Sequence, residues 1–177
     1  MGRKRLLMLL VVPLLALAAL TAACGGDDDE GADGATAATG GTGAEEAGPG
    51  VVSERPADAT QVDITLREFA IQAGQASVAA GKIYFLVENV GPDDPHEFVI
   101  ISSDLGPLDL PFEDNRVPED EVDIVDEIEP FAPDSSASIT VDLEAGKYLL
   151  ICNITETEDG EIESHYKKGM VATLTVE

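Results

Sequence analysis

The reading of this chain turns on residues 146–177, GKYLLICNITETEDGEIESHYKKGMVATLTVE. Cys152 closes an apolar run, His165 and Met170 follow inside one loop, and the chain then returns to strand-like alternation. A thiolate, two imidazoles and a weak thioether form a soft trigonal donor set that suits copper passing between its two common oxidation states. This stretch supplies one of the two imidazoles. The only other histidine is His96, in 89-NVGPDDPHEFVII-101, so both histidines of the sequence are drawn into one candidate site.

Outward from that stretch the pattern is that of strands. Val62, Ile64 and Leu66 alternate with Asp63, Thr65 and Arg67, the period of a half-buried strand. Residues 75–80 and 82–90 follow as two runs separated by Gly81, and the second, KIYFLVENV, is rich in β-branched and aromatic residues. The segment 91-GPDDP-95 breaks that run, and His96 opens the next strand. There Phe98 and Ile100 lie on one face of the pleat and Val99 and Ile101 on the other, as expected of an interior strand. Residues 102–121 carry Pro107, Pro111 and Pro118 among many acids and read as a long irregular excursion with one helical turn. Residues 122–128 read as a short edge strand. Ala137, Ile139, Val141 and Leu143 alternate cleanly, residues 148–154 form another run, and Met170, Ala172, Leu174 and Val176 share a face. Short strands, regular turn signals and no helical periodicity indicate an all-β sandwich over residues 60–177, with no internal repeat.

The N-terminal third has a different character. Residues 1–23 join a basic MGRKR, an apolar run and small residues, the pattern of a secretory signal. The junction Thr21-Ala22-Ala23-Cys24 resembles the lipobox of bacterial lipoproteins, which implies that Cys24 becomes the lipid-bearing first residue. An uncleaved anchor is the alternative, opposed by Pro13 and by the Ala-Ala-Cys-Gly-Gly junction. Either way the domain is expected outside the cytoplasm, at the cell membrane. Residues 24–59 have no aromatic side chain and few branched aliphatics, so they read as a disordered acidic tether with a reach of roughly 30 Å. If Cys24 carries lipid, Cys152 is left unpaired in an oxidising compartment, unusual enough to single it out, with a buried inert thiol as one alternative. A Cys24–Cys152 disulfide would instead tie a flexible leader to a core strand.

The formal charge is −25 and, without Arg3, Lys4 and Arg5 of the leader, falls to about −28. Such a surface repels nucleic-acid phosphates and anionic headgroups. It fits either solubility or docking to a basic partner. No Gly-rich phosphate loop occurs, and no histidine remains to serve a second, catalytic copper.

The chain resembles the cupredoxins, the blue-copper domains of the plastocyanin and azurin type. The resemblance rests on Ala80-Gly81-Lys82, Asn89-Val90-Gly91, His96-Glu97-Phe98, Ala145-Gly146-Lys147-Tyr148 leading to Cys152, and His165-Tyr166-Lys167-Lys168-Gly169-Met170. It implies a Greek-key β-sandwich and one type 1 copper ion held by His96, Cys152, His165 and Met170. It also implies a monomeric one-electron carrier, not an enzyme, that meets a redox partner and touches the membrane only through its lipid. Two other readings stay open: a copper-storage, delivery or metal-uptake accessory lipoprotein without redox turnover, and a structural domain with an empty site. Two departures from the family pattern bear on the site. Twelve residues separate Cys152 from His165, and 158-EDG-160 would let the excess project as a small acidic hairpin. Glu97 stands where plastocyanin-like domains commonly carry an asparagine, so the fastening of the ligand loop is expected to differ. Asn153-Ile154-Thr155 matches a glycosylation sequon but sits next to the proposed ligand in a chain with a bacterial-type lipobox.

Overall fold

The computed structural model describes residues 49–158 and 160–177. The expected leader, the lipid-bearing Cys24 and the tether as far as residue 48 lie outside the described residues. Two sheets form the body. One has the order β2-β1-β4-β7, built from β1 (Thr60–Arg67), β2 (Ala70–Ala73), β4 (Gly81–Asn89) and β7 (Ser135–Leu143). The other has the order β3-β11-β8-β5-β6, from β3 (Ser77–Val78), β5 (His96–Ser102), β6 (Asp123–Phe131), β8 (Gly146–Ile151) and β11 (Val171–Val176). Pairing is antiparallel except for β1 with β4 and β3 with β11. A separate hairpin joins β9 (Thr155–Glu158) to β10 (Glu161–Ser164), and one helical turn, α1 (His165–Lys168), follows it.

The alternation explains the layers. Val62, Ile64 and Leu66 of β1, Phe85 and Val87 of β4, Phe98 and Ile100 of β5, and Leu150 of β8 all enter one core between the sheets. The opposite face of β5 and β8, carrying Val99, Ile101, Leu149 and Ile151, is covered by Leu110 and Val117 of the 103–122 excursion and by Tyr166 of α1. Strand β5 is therefore interior in both senses, flanked by β6 and β8 and packed on both faces. Each fully buried chain of this size contributes roughly 2 kcal/mol relative to exposure. The excursion is irregular, with a single 3-10 turn at Glu119–Glu121, because prolines interrupt it while its few apolar side chains are used to cap the sheet.

Several sequence expectations need correction. The run at 75–80 shrinks to the two-residue β3, and β2 appears where no strand was expected, paired with β1 across a turn at residues 68–69. Edge strand β6 runs on to Phe131 through Pro130, since the register slips between His96–Phe131 and Phe98–Ile128 and leaves an extra residue in β6. A bulge is where a strand tolerates a residue without an N–H. The run at 148–154 ends as a strand at Ile151. The ordered body also begins before Thr60. The Val51 carbonyl accepts the Ser138 N–H at 2.9 Å, the Ser53 N–H donates to Ser138 Oγ at 2.8 Å, and Tyr84 donates its hydroxyl to the Ser53 carbonyl at 2.9 Å. This segment covers the free edge of β7, which would otherwise offer unpaired backbone groups. Gly50 is required there, because a Cβ would lie 2.4 Å from the Ser136 carbonyl oxygen.

Candidate metal centre

Four segments converge at one end of the sandwich. His96 is the first residue of β5, Cys152 follows the last residue of β8, His165 opens α1, and Met170 precedes β11. Backbone bonds lock the last three together. The Cys152 N–H donates to the Met170 carbonyl at 3.1 Å, the Met170 N–H to the His165 carbonyl at 3.0 Å, and the His165 N–H to the Ile154 carbonyl at 3.0 Å. That last bond resolves the long spacing between Cys152 and His165. The chain leaves at Ile154, makes the β9–β10 hairpin, and re-enters at His165, so the ten extra residues close on themselves. The acidic hairpin expected from the sequence is present, with Glu158 opposite Glu161 at its tip.

The side chains meet accordingly. Nδ1 of His96 and Nδ1 of His165 are 3.3 Å apart, and Cys152 Sγ lies 3.4 Å from His165 Nδ1 and 4.0 Å from His96 Nδ1. A point equidistant from three atoms so spaced is about 2.1 Å from each, close to the ~2.0–2.3 Å over which imidazole and thiolate bind first-row metal ions. His96, Cys152, His165 and Met170 are all 0% exposed, and Met170 shares the inter-sheet core with Cys152. The residues present fit one metal ion with two imidazoles and a sulfur around it and a thioether alongside.

The protonation states suit ligation. Burial, reinforced by His165, pushes His96 down to about 4, so its ring is neutral at pH 7. Burial also raises the free Cys152 thiol well above its ordinary range, aided by the Glu97 carboxylate, while the Ile154 and Glu97 N–H groups at the sulfur pull the other way. Metal uptake at this thiol therefore releases a proton.

Around these four residues runs a shell of fastenings. Asn89, fully buried, donates from Nδ2 to the Asp94 and Phe131 carbonyls, each at 3.1 Å, and accepts the Gly91 N–H at 2.9 Å, which fixes the loop leading to His96. Glu97 accepts the Asn153 N–H at 2.5 Å and so ties β5 to the residue after Cys152. Burial, set against that N–H and joined by nearby Glu119, Glu127 and Glu129, raises its carboxyl to about 7. The altered fastening expected from Glu97 thus takes the form of a carboxylate on the ligand loop's backbone. Asn153 is 3% exposed, accepts the Val117 N–H at 2.7 Å and donates to the Val117 carbonyl at 2.9 Å. Its amide is engaged in the interior, which argues against the sequon as a modification site. Phe69 packs edge-on against the His165 ring at 5.0 Å between centroids, and the Lys168 ammonium sits 4.1 Å over Phe69. His165 Nε2 lies 3.0 Å from Glu156 Oε1.

No protein-family model and no curated protein sequence matches the chain. Solved structures do. Sodium-dithionite-reduced auracyanin from Roseiflexus castenholzii is 21% identical, covers 67% of this chain and 98% of its own, and superposes with a TM-score of 0.50. Rusticyanin from Thiobacillus ferrooxidans is 16% identical, covers 75% of this chain and 88% of its own, with a TM-score of 0.51. The chain has the cupredoxin fold. At these identities the likeness concerns architecture, and the chemistry of this cupredoxin-like domain rests on its own side chains.

The structure brings together His96, Cys152 and His165, with Met170 strapped to both ends of the ligand loop. Cys24 lies outside the described residues. Sequence reasoning singled out Asn89 without its clamping role, missed Glu156 and Phe69, and missed α1, whose signals were present: Ser164 caps it by accepting the Lys167 N–H, and Gly169 ends it at φ 113°.

Proposed function

We propose that this chain is a one-electron carrier built on a type 1 copper centre, which His96, Cys152 and His165 would hold with Met170 alongside. We further propose that Cys24 carries lipid and tethers the domain to the outer face of the cell membrane, where it meets a redox partner. The observation that carries the reading is the convergence of two Nδ1 atoms and one sulfur, 3.3 to 4.0 Å apart, inside a closed end of a cupredoxin fold. Copper bound there would supply a single-electron couple whose two states are both served by a soft set of two imidazoles, a thiolate and a thioether. The chain's own part is to keep that coordination unchanged. His96 is held by its place at the start of an interior strand and by the Asn89 loop, and Cys152 by the Met170 carbonyl and by Glu97 through Asn153. His165 is held between the hairpin base and α1. Full burial of the donors excludes water that would otherwise add ligands to one oxidation state and not the other. Both histidines are spent in this one centre, so none is left for a catalytic copper.

A copper-holding role without turnover is the second reading, favoured by the complete burial of both imidazoles. Titrating cupric ion into the purified domain separates the two. An intense thiolate-to-copper visible band, abolished by Cys152→Ser, supports the carrier. Colourless stoichiometric binding supports storage or delivery, and absence of binding refutes both.

A further inference from the structure

The two imidazoles present Nδ1 to the sulfur, and in each the remaining nitrogen faces a carboxylate. His96 Nε2 is 3.9 Å from Glu68 Oε1, outside hydrogen-bond range, and has no partner among the described residues. His165 Nε2 is 3.0 Å from Glu156 Oε1, a hydrogen bond to a partly buried carboxylate. The Asp94 carboxyl stands beside this pair, within 4.8 Å. Glu156 is the second residue of β9, so it belongs to the inserted hairpin. The hairpin has its own attachments: Arg116 donates to Thr155 Oγ1 at 3.3 Å, Lys168 pairs with Glu163, and the base is closed by Ile154 and His165. None of these attachments involves the Glu156 side chain.

Resting on the copper reading above, we propose that Glu156 is the positioning residue of this centre, by which the inserted hairpin orients His165 and sets the oxidation-state preference of the bound ion. The chemistry is direct. A carboxylate accepting the Nε2–H fixes the imidazole in one tautomer, which leaves the Nδ1 lone pair facing Cys152 Sγ and His96 Nδ1. Its negative charge, across the His165 ring from the Nδ1 donor, would favour the more positive oxidised state of a bound ion over the reduced one. For a partly buried carboxylate so placed the preference is at least about tenfold. The extra residues between Cys152 and His165 are thus a device that brings a charge to the far side of a ligand.

Two variants and two measurements test this. In the metal-free protein, long-range 15N NMR reads the His165 tautomer. The wild type is expected as Nε2–H, and Glu156→Leu is expected to lose that preference. In the copper-loaded protein, Glu156→Gln keeps the shape and removes the charge, and it is expected to favour the reduced ion by about tenfold or more, a rise of about 59 mV per tenfold for one electron. A Leu variant whose His165 stays Nε2–H overturns the positioning role, and a Gln variant whose oxidation-state preference changes less than twofold overturns the charge effect. A wild-type protein that takes up no copper sinks the carrier reading itself, and the tautomer measurement then still decides whether Glu156 orients His165.

Discussion

Replacing Asn89 by alanine removes three hydrogen bonds with one side chain. Its Nδ2 serves the Phe131 and Asp94 carbonyls and its Oδ1 serves the Gly91 N–H, and Asn89, Gly91 and Phe131 are all buried. In Asn89→Ala the Gly91 N–H and the Phe131 carbonyl are stranded without water, at roughly 1–3 kcal/mol each, while the half-buried Asp94 carbonyl is less affected. The expected loss is about 3 kcal/mol, which for a body of this size lowers Tm by roughly 10 °C. Asn89→Asp is the sharper probe. It keeps the acceptor for Gly91 but turns a second oxygen, and a charge, toward two carbonyls, so it is expected to be worse than alanine although it is nearly isosteric. Urea denaturation of the metal-free protein, with unchanged m-values, gives the numbers. A loss below 1 kcal/mol for alanine, or an aspartate variant as stable as the parent, would refute the account of Asn89 as the clamp on the His96 loop.

Three further outcomes follow from adjacent features. His96, lowered to about 4, disfavours the fold as pH drops from 6.5 to 4, because the unfolded chain binds the proton first; an NMR titration of metal-free protein should find this ring neutral at pH 5.5. Glu97, raised to about 7, acts in the opposite sense, since the folded chain keeps a proton that the unfolded chain releases near 4.5. Glu97→Gln should therefore gain up to about 3 kcal/mol over the parent above pH 7 and almost nothing at pH 4, and a gain equal at both pH values would contradict the assignment. Gly169→Ala, at φ 113°, should cost about 1–2 kcal/mol in thermal unfolding, whereas the same change at Gly146, which carries no positive φ, should cost less.

The sandwich was legible because half-buried strands write their period into the sequence. Val62-Ile64-Leu66 and Ala137-Ile139-Val141-Leu143 each face one core. His96 and Cys152 were legible for a related reason: each sits at a junction that the strand pattern itself marks. What stayed hidden depends on contacts remote in sequence. Asn89 acts on Phe131, 42 residues away, and nothing local to Asn89 announces that partner. Glu156 is one of many acids in an acidic hairpin, and only the hairpin's closure at Ile154 and His165 selects it to meet the ring. The short β2 has no alternation long enough to count, and its existence follows from the edge that β1 offers it. Residues 49–59 looked like linker by composition, yet backbone and hydroxyl groups that composition does not weigh hold them to β7.

Closing the hairpin base at one backbone contact has a consequence for how the molecule can change. A change of length or charge between Thr157 and Ile162 is expected to leave both ends of the ligand loop in place, because the His165 N–H to Ile154 carbonyl bond and the Thr155–Ser164 pairing hold them together. A longer, shorter or oppositely charged tip could be exchanged there to change the charge displayed beside the site while the buried donors keep their places.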